Sequence, residues 1–330
     1  MGRQKTTRRR TRLGTPGAAI LGLLVTLSAA MIANGPALCA EDPLKVRVGS
    51  GTGDGSAQAL YAQRTGRFSA AGLTVDLDMK ISDSGRYAGI DSGKLDIAFS
   101  NIVSVAAAIE KGKPYILLSP GAIYTTKAPM TVMVQGPSSR FRSGADLKGK
   151  TVATPSANDL GQLGVMAWVD RHGGDSRGVT FVHGIAMANI GAALADRKID
   201  AAELTEPEWT RLRKAGAVKL LAHNFDAISP RFANGAFFAT RAWVETNHAA
   251  ADRFVAAMGQ TARWANQHHA ETARMLAEEA NLPLSLTKSM VRATYAEALT
   301  PDLLQPAFDV AAKYGLIAPV RASGLIFHDR

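Results

Sequence analysis

Cysteine is nearly missing: the 330 residues contain one, Cys39. That excludes a disulfide framework and a cysteine-ligated metal. The usual marks of catalysis are missing too. There is no G-x-x-x-x-G-K-[ST] loop for nucleotide phosphates, no G-x-S-x-G nucleophile turn and no H-E-x-x-H pair. The seven histidines (His172, His183, His223, His248, His268, His269 and His328) fall in no metal-binding spacing. A glycine-rich loop at residues 49–56 follows a strand pattern, but Ser56 stands where a dinucleotide fingerprint needs its third glycine. No catalytic residue, metal ligand or cofactor is expected. No segment after residue 40 approaches the roughly 20 apolar residues of a membrane span.

Acid is missing from the first forty residues, which hold Arg3, Lys5, Arg8, Arg9, Arg10 and Arg12. The whole chain has 38 Lys+Arg against 28 Asp+Glu, for a net +10. Without those six, 32 basic residues face 28 acidic ones. The positive charge therefore belongs largely to a tail and does not indicate a nucleic-acid-binding body. The tail runs from a basic stretch through the apolar residues 18–33 to a small-residue site, the order of a secretory signal. Residues 1–40 are read as a signal peptide cleaved after Ala40, with an uncleaved anchor as the alternative. The run Arg8-Arg9-Arg10-Thr11-Arg12-Leu13 suits a twin-arginine signal or an ordinary basic region, so the export route stays open. Cys39 is a candidate lipid anchor, although Leu38 before it is bulky for such a site. The expected location is the periplasm.

What is present after residue 40 is a regular alternation. The composition is 46% hydrophobic and 20% charged, which suits a packed fold. Residues 44–49, 73–79, 95–99 and 115–118 read as strands. Between them lie helices expected after Ser56, from Ser84, and after Ser100 or Asn101. The pattern restarts with strands at 129–134, 150–154, 179–182, 199–204 and 218–221, and helices at 159–172 and 188–197. Long helices follow at 249–267, 271–280, 285–298 and 300–314, with Pro301 in a first turn. Residues 237–240 read as a strand returning to the first unit. Strands alternating with helices predict mostly parallel α/β sheets with helices on their faces. Ligands of such sheets bind beyond the carboxyl ends of the strands, where helix N-termini offer free N–H groups. Two such units facing each other place Ser56, Ser100, Asn101, Ser156 and Asn158 on the walls of one cleft.

Four segments carry a family resemblance: ALYAQRTGRFSAAGLTVDL from Ala59, SGKLDIAFSN from Ser92, ADLKGKTVATPSAN from Ala145 and ALADRKIDAAELTEPEW from Ala193. The chain resembles the periplasmic substrate-binding proteins of ABC importers, in the branch handling sulfonates, taurine, nitrate and thiamine precursors. The resemblance implies a type II periplasmic-binding-protein-like fold with a helical C-terminal part. It implies one domain from 41–128 plus 232–330 and a second from 129–231, joined by hinge segments near 124–131 and 229–237. It implies ligand contacts at Asp54, Gly55 and Ser56, at Ser100 and Asn101, at Ser156, Ala157 and Asn158, and at Glu203 and Glu206. Tyr124 is a candidate aromatic contact, and so is Tyr61, for which core packing is the favoured alternative. The implied function is capture of a small polar or anionic molecule and its delivery to a permease and ATPase, without catalysis. The alternatives are an exported enzyme using the same cleft, or a ligand-sensing domain. The sequence departs from its relatives, first in the glycine-rich loop 49–56, where they often place a larger or aromatic residue. No arginine occupies the matched cleft positions, and the acids Asp54, Glu203 and Glu206 suit a neutral or amine-bearing ligand. The cysteine-rich motif of the thiamine-pyrimidine-forming relatives is absent.

Overall fold

The computed structural model describes residues 42–328; the tail with its expected signal, cleavage site and Cys39 lies outside the described residues. These residues form one compact unit. Its strands are β1 (Leu44–Gly49), β2 (Leu73–Asp78), β3 (Ile97–Asn101), β4 (Tyr115–Pro120), β5 (Ala122–Thr125) and β6 (Thr131–Gln135). They continue as β7 (Thr151–Thr154), β8 (Thr180–His183), β9 (Ala201–Thr205) and β10 (Lys219–Ala222). The last three are β11 (Arg231–Ala233), β12 (Gly235–Thr240) and β13 (Thr294–Tyr295).

Two five-stranded sheets organise the unit. The first has the order β2-β1-β3-β12-β4 and the second β10-β6-β9-β7-β8. In each, one strand runs against the rest: β12 in the first and β6 in the second. A lobe here means a sheet with the helices packed on it: β6 lies where the chain first enters the second lobe, and β12 where it returns to the first. The alternation in β1 explains its placement: Val46 and Val48 are buried, while Lys45 and Arg47 face outward. Buried β12 (Phe237, Phe238) and helix His248–Gln267 (Phe254, Met258) fill the first lobe. Val132, Val134, Leu204 and Trp209 fill the second. The mixed α/β fold expected from the sequence is present.

A small third sheet, β11-β5-β13, was not expected. It joins both chain crossings between the lobes to a C-terminal segment. The sequence predicts one helix over 285–298, but the helix is Leu284–Ser289 and the chain then extends into β13, which pairs with Ala122 and Ile123. Tertiary hydrogen bonds, described below, hold this extended segment against its helical pattern. A second local difference concerns Ser56. It lies in a 3-10 turn, Asp54–Ser56, and donates to the carbonyls of Gly51 and Gly53, while helix Gln58–Arg64 starts after Ala57 without a side-chain cap. Asn101 does cap its helix, Ile102–Glu110, accepting from Ser104 N at 2.9 Å. Helix Asp83–Asp91 is capped by Ser82 rather than opened by Ser84. No helix among the described residues is long and apolar enough to cross a membrane.

Candidate ligand-binding site

A cavity of about 230 Å3 lies between the lobes at the carboxyl ends of their strands. This is the place where open α/β sheets bind ligands. It is smaller than the roughly 300–1,000 Å3 of sites for drug-sized molecules, so it suits a small solute.

The first wall comes from the loop after β1 and from the end of β3. Gly53, Gly55, Ser56, Phe99 and Asn101 line it. Phe99 reaches the cavity because two glycines leave room for its ring. A Cβ on Gly121 would sit 2.4 Å from the ring, and one on Gly235 would sit 2.3 Å from it. The loop is held from behind. Asp54, fully buried, accepts from Arg292 Nε and Nη2 at 2.8 Å, from Ala293 N at 2.8 Å and from Tyr61 Oη at 2.8 Å. Tyr295 Oη donates to the Asp54 carbonyl. Burial alone would raise the Asp54 carboxyl; Arg292 and the other donors outweigh it and hold the carboxyl below its ordinary value. Arg86 braces the neighbouring strand ends, donating to the carbonyls of Ser50, Ile81 and Phe99 and to Asp83.

The second wall comes from the ends of β7 and β9. Pro155, Asp159, Leu160 and Gly161 line it with Glu203, Thr205 and Glu206. Asp159 caps helix Leu160–Arg171, accepting from Gln162 N at 2.9 Å. Glu203 is 6% exposed, and its Oε2 has no hydrogen-bond partner among the described residues. It fits only because residue 161 is glycine: a Cβ there would stand 1.8 Å from Glu203 Oε2. Burial and then Asp159 push the Glu203 carboxyl well above the usual carboxylate range. Burial pushes Asp159 up to about 6, against the lowering by backbone N–H groups of Gln162 and Gly161. Glu206 differs. Its oxygens accept from Thr210 N, Thr210 Oγ1 and Val291 N, so it ties the second lobe to the C-terminal segment. Met130, Met187 and Phe225 complete an apolar surround, and Asn234 Oδ1 is buried without a partner among the described residues.

The structure thus gathers Gly55, Ser56, Asn101, Glu203 and Glu206 around one cavity. Asp54 sits behind the wall rather than in it. Ser100 is buried with its hydroxyl on Asp83, 3.0 Å away. Ser156, Ala157 and Asn158 are exposed just outside, one turn short of Asp159–Gly161. Tyr124 is buried beneath, donating to Asp226 at 2.8 Å. Sequence reasoning missed Asp159, Gly161 and Phe99, and it missed Arg292. A cap signal was legible at Asp159; nothing local marked Arg292, which lies 238 residues from Asp54.

Two α/β lobes of like build with a cavity between them define a periplasmic-binding-protein-like fold. The chain belongs to the NMT1/THI5-like family, whose model matches residues 55–272. It is similar in structure to the alkanesulfonate-binding protein SsuA from Xanthomonas axonopodis pv. citri, solved bound to MOPS. That likeness has TM-score 0.70 and 16% identity over 87% of this chain and 99% of that one. The nitrate-binding protein NrtA from Synechocystis PCC 6803 matches with TM-score 0.70 and 14% identity, over 83% of this chain and 82% of its own. The desulfurization enzyme DSZB matches with TM-score 0.63 and 15% identity, over 86% and 96%. No curated protein matches the sequence significantly.

Proposed function

We propose that the chain is an extracytoplasmic solute-binding protein that captures a small polar solute in the interlobe cavity and delivers it to an ABC permease and its ATPase. The supporting observation is the cavity itself, walled by strand ends of both lobes so that a solute touches both at once. The lobes proposed are residues 41–128 with 232–330, and residues 129–231, pivoting about the crossings near β5 and β11. Residues 1–40 are proposed to direct export to the periplasm and then to be removed. A solute that contacts both lobes favours the closed form by its differential affinity for it. Similarity to the sulfonate- and nitrate-binding proteins supports this reading. The test is small-angle X-ray scattering of the exported chain with and without compounds that raise its melting temperature, since ligand binding adds RT ln(1 + [L]/Kd). Compaction on binding is expected; tight binding without compaction would sink the hinge.

A second reading is catalysis in the same cavity. It is favoured by Glu203, a buried carboxyl with a strongly raised value in a cleft, and by the likeness to DSZB. Turnover of a bound compound, abolished by Glu203→Gln, would establish it. Binding without turnover is expected.

A further inference from the structure

Charge around the cavity is one-sided. Asp159, Glu203 and Glu206 line it, and among the described lining residues there is no Lys, Arg or His. The arginines built nearest the first wall are committed elsewhere. Arg86 donates to three carbonyls and Asp83, and Arg292 donates to Asp54, Tyr61 and the His269 carbonyl. Glu206 has partners on both oxygens, from Thr210 and Val291. Glu203 is not. It is buried, its Oε2 has no partner among the described residues, and Gly161 supplies the space its carboxyl occupies. A buried acceptor left unpaired is costly, so such a group marks where a donor belongs. Around it the walls are apolar, with the rings of Phe99 and Phe225 and the thioethers of Met130 and Met187.

We propose that the cavity selects its solute through a protonated nitrogen head, an amine or amidinium, seated against Glu203, with an apolar body among Phe99, Phe225 and the methionines. An anionic head would meet like charge with no cation to answer it. This inference rests on the solute-binding reading and narrows its ligand class. The acid acting on Glu203 is Asp159 at the start of helix Leu160–Arg171, and Asp83 lies near enough to Asp159 to act on it in turn; Glu206 beyond β9 lines the same cavity. Burial and these acids keep a proton on the pair. A cationic head takes that proton's place, and the proton leaves to solvent. Amine binding therefore strengthens as pH rises through the range in which the pair gives up its proton, above the ordinary carboxylate range.

The experiment is calorimetry and thermal shift on the exported chain with a matched series at millimolar concentration. The series is butylamine, benzylamine and benzamidine; butanol and benzyl alcohol; butanesulfonate and phenylmethanesulfonate. Amines and benzamidine are expected to bind about tenfold or more tightly than the alcohols and sulfonates. Glu203→Gln should remove that advantage, while Glu203→Asp, which keeps a carboxyl able to ionise against the cation, should restore part of it. Equal urea midpoints in wild type and Glu203→Gln would exclude misfolding as the cause. Preference for the sulfonates, or amine binding unchanged in Glu203→Gln, would overturn the head-group inference and leave solute binding standing. Binding by no member of the series, with no compaction, would overturn both.

Discussion

Glu203 and Asp159 share one small volume, and the sign of their effect on stability follows from that. The fold keeps a raised carboxyl protonated while the unfolded chain ionises freely. The folded chain then binds more protons, and stability falls as pH rises. For Asp159 the fall runs from its ordinary 3.8 to about 6. Glu203, coupled to it, extends the fall to higher pH. Asp54 acts oppositely. Its carboxyl is held low, so its contribution is present at neutral pH and is lost as pH falls below about 4. Urea midpoints are expected to decline as pH rises from about 4 to about 7, and to decline less in Glu203→Gln. A midpoint that rises over that range in wild type would contradict the assignment. A cation near 4 Å from Glu203 is worth about 4 kcal/mol at an effective dielectric of 20, enough to ionise the pair. Gly161 gives an independent check. In Gly161→Ala the new methyl displaces the Glu203 carboxyl, since the two would stand 1.8 Å apart. Overpacking of this kind costs about 1–3 kcal/mol. A lower melting temperature and loss of ligand-induced stabilisation are expected; a normal ligand response would show that the Glu203 position does not matter.

Loop 53–56 owes its conformation to a distant element. The Asp54–Arg292 pair is desolvated, with the side chains 0% and 10% exposed. Removing one partner of a buried pair leaves the other uncompensated and costs about 3–5 kcal/mol. Arg292→Leu is expected to fall in that range by urea unfolding, and Asp54→Asn with Arg292→Leu should cost less than the two single changes summed. A loss below about 1 kcal/mol for Arg292→Leu would mean the pair is not what holds the loop. The same pair shows where sequence reading stops. Alternating strands such as β1 and β2, the Asn101 cap and the restart of the pattern at β6 are local signals, and the structure follows them. Residues 285–298 also carry a helical pattern, yet the chain straightens after Ser289 because Asp54 and Asn266 capture the N–H groups of Ala293 and Tyr295. No local periodicity encodes a partner more than two hundred residues away. The cavity was half legible for a related reason. Strand ends at Asn101 and Glu203 could be read, but the choice between loop 156–158 and the first helical turn at 159–161 depends on how the lobes face each other.

At the scale of the molecule the lobes are joined by more than the crossings. Leu160, Leu163 and Phe225 of the second lobe pack with Ile102, Phe232 and Phe308 of the first in one apolar cluster. Polar ties lie around it: Glu206 accepts from Val291 N, Lys214 donates to Ser289, and Tyr314 donates to Asp170 at 2.8 Å. The Tyr314–Asp170 bond lies on the exposed rim and joins helix-borne groups of opposite lobes. In the proposed hinge motion, parting the lobes breaks it. Removing it leaves the open form untouched and weakens closure by the net worth of one hydrogen bond to a charged group, about 1.5 kcal/mol. Because ligand affinity scales with the population of the competent form, Tyr314→Phe should lower affinity about tenfold at most. The urea midpoint without ligand should hardly move. Calorimetry reads the first quantity and equilibrium unfolding the second. If affinity stays constant while stability drops, the contact belongs to a rigid body, and the two lobes do not part about the crossings near β5 and β11.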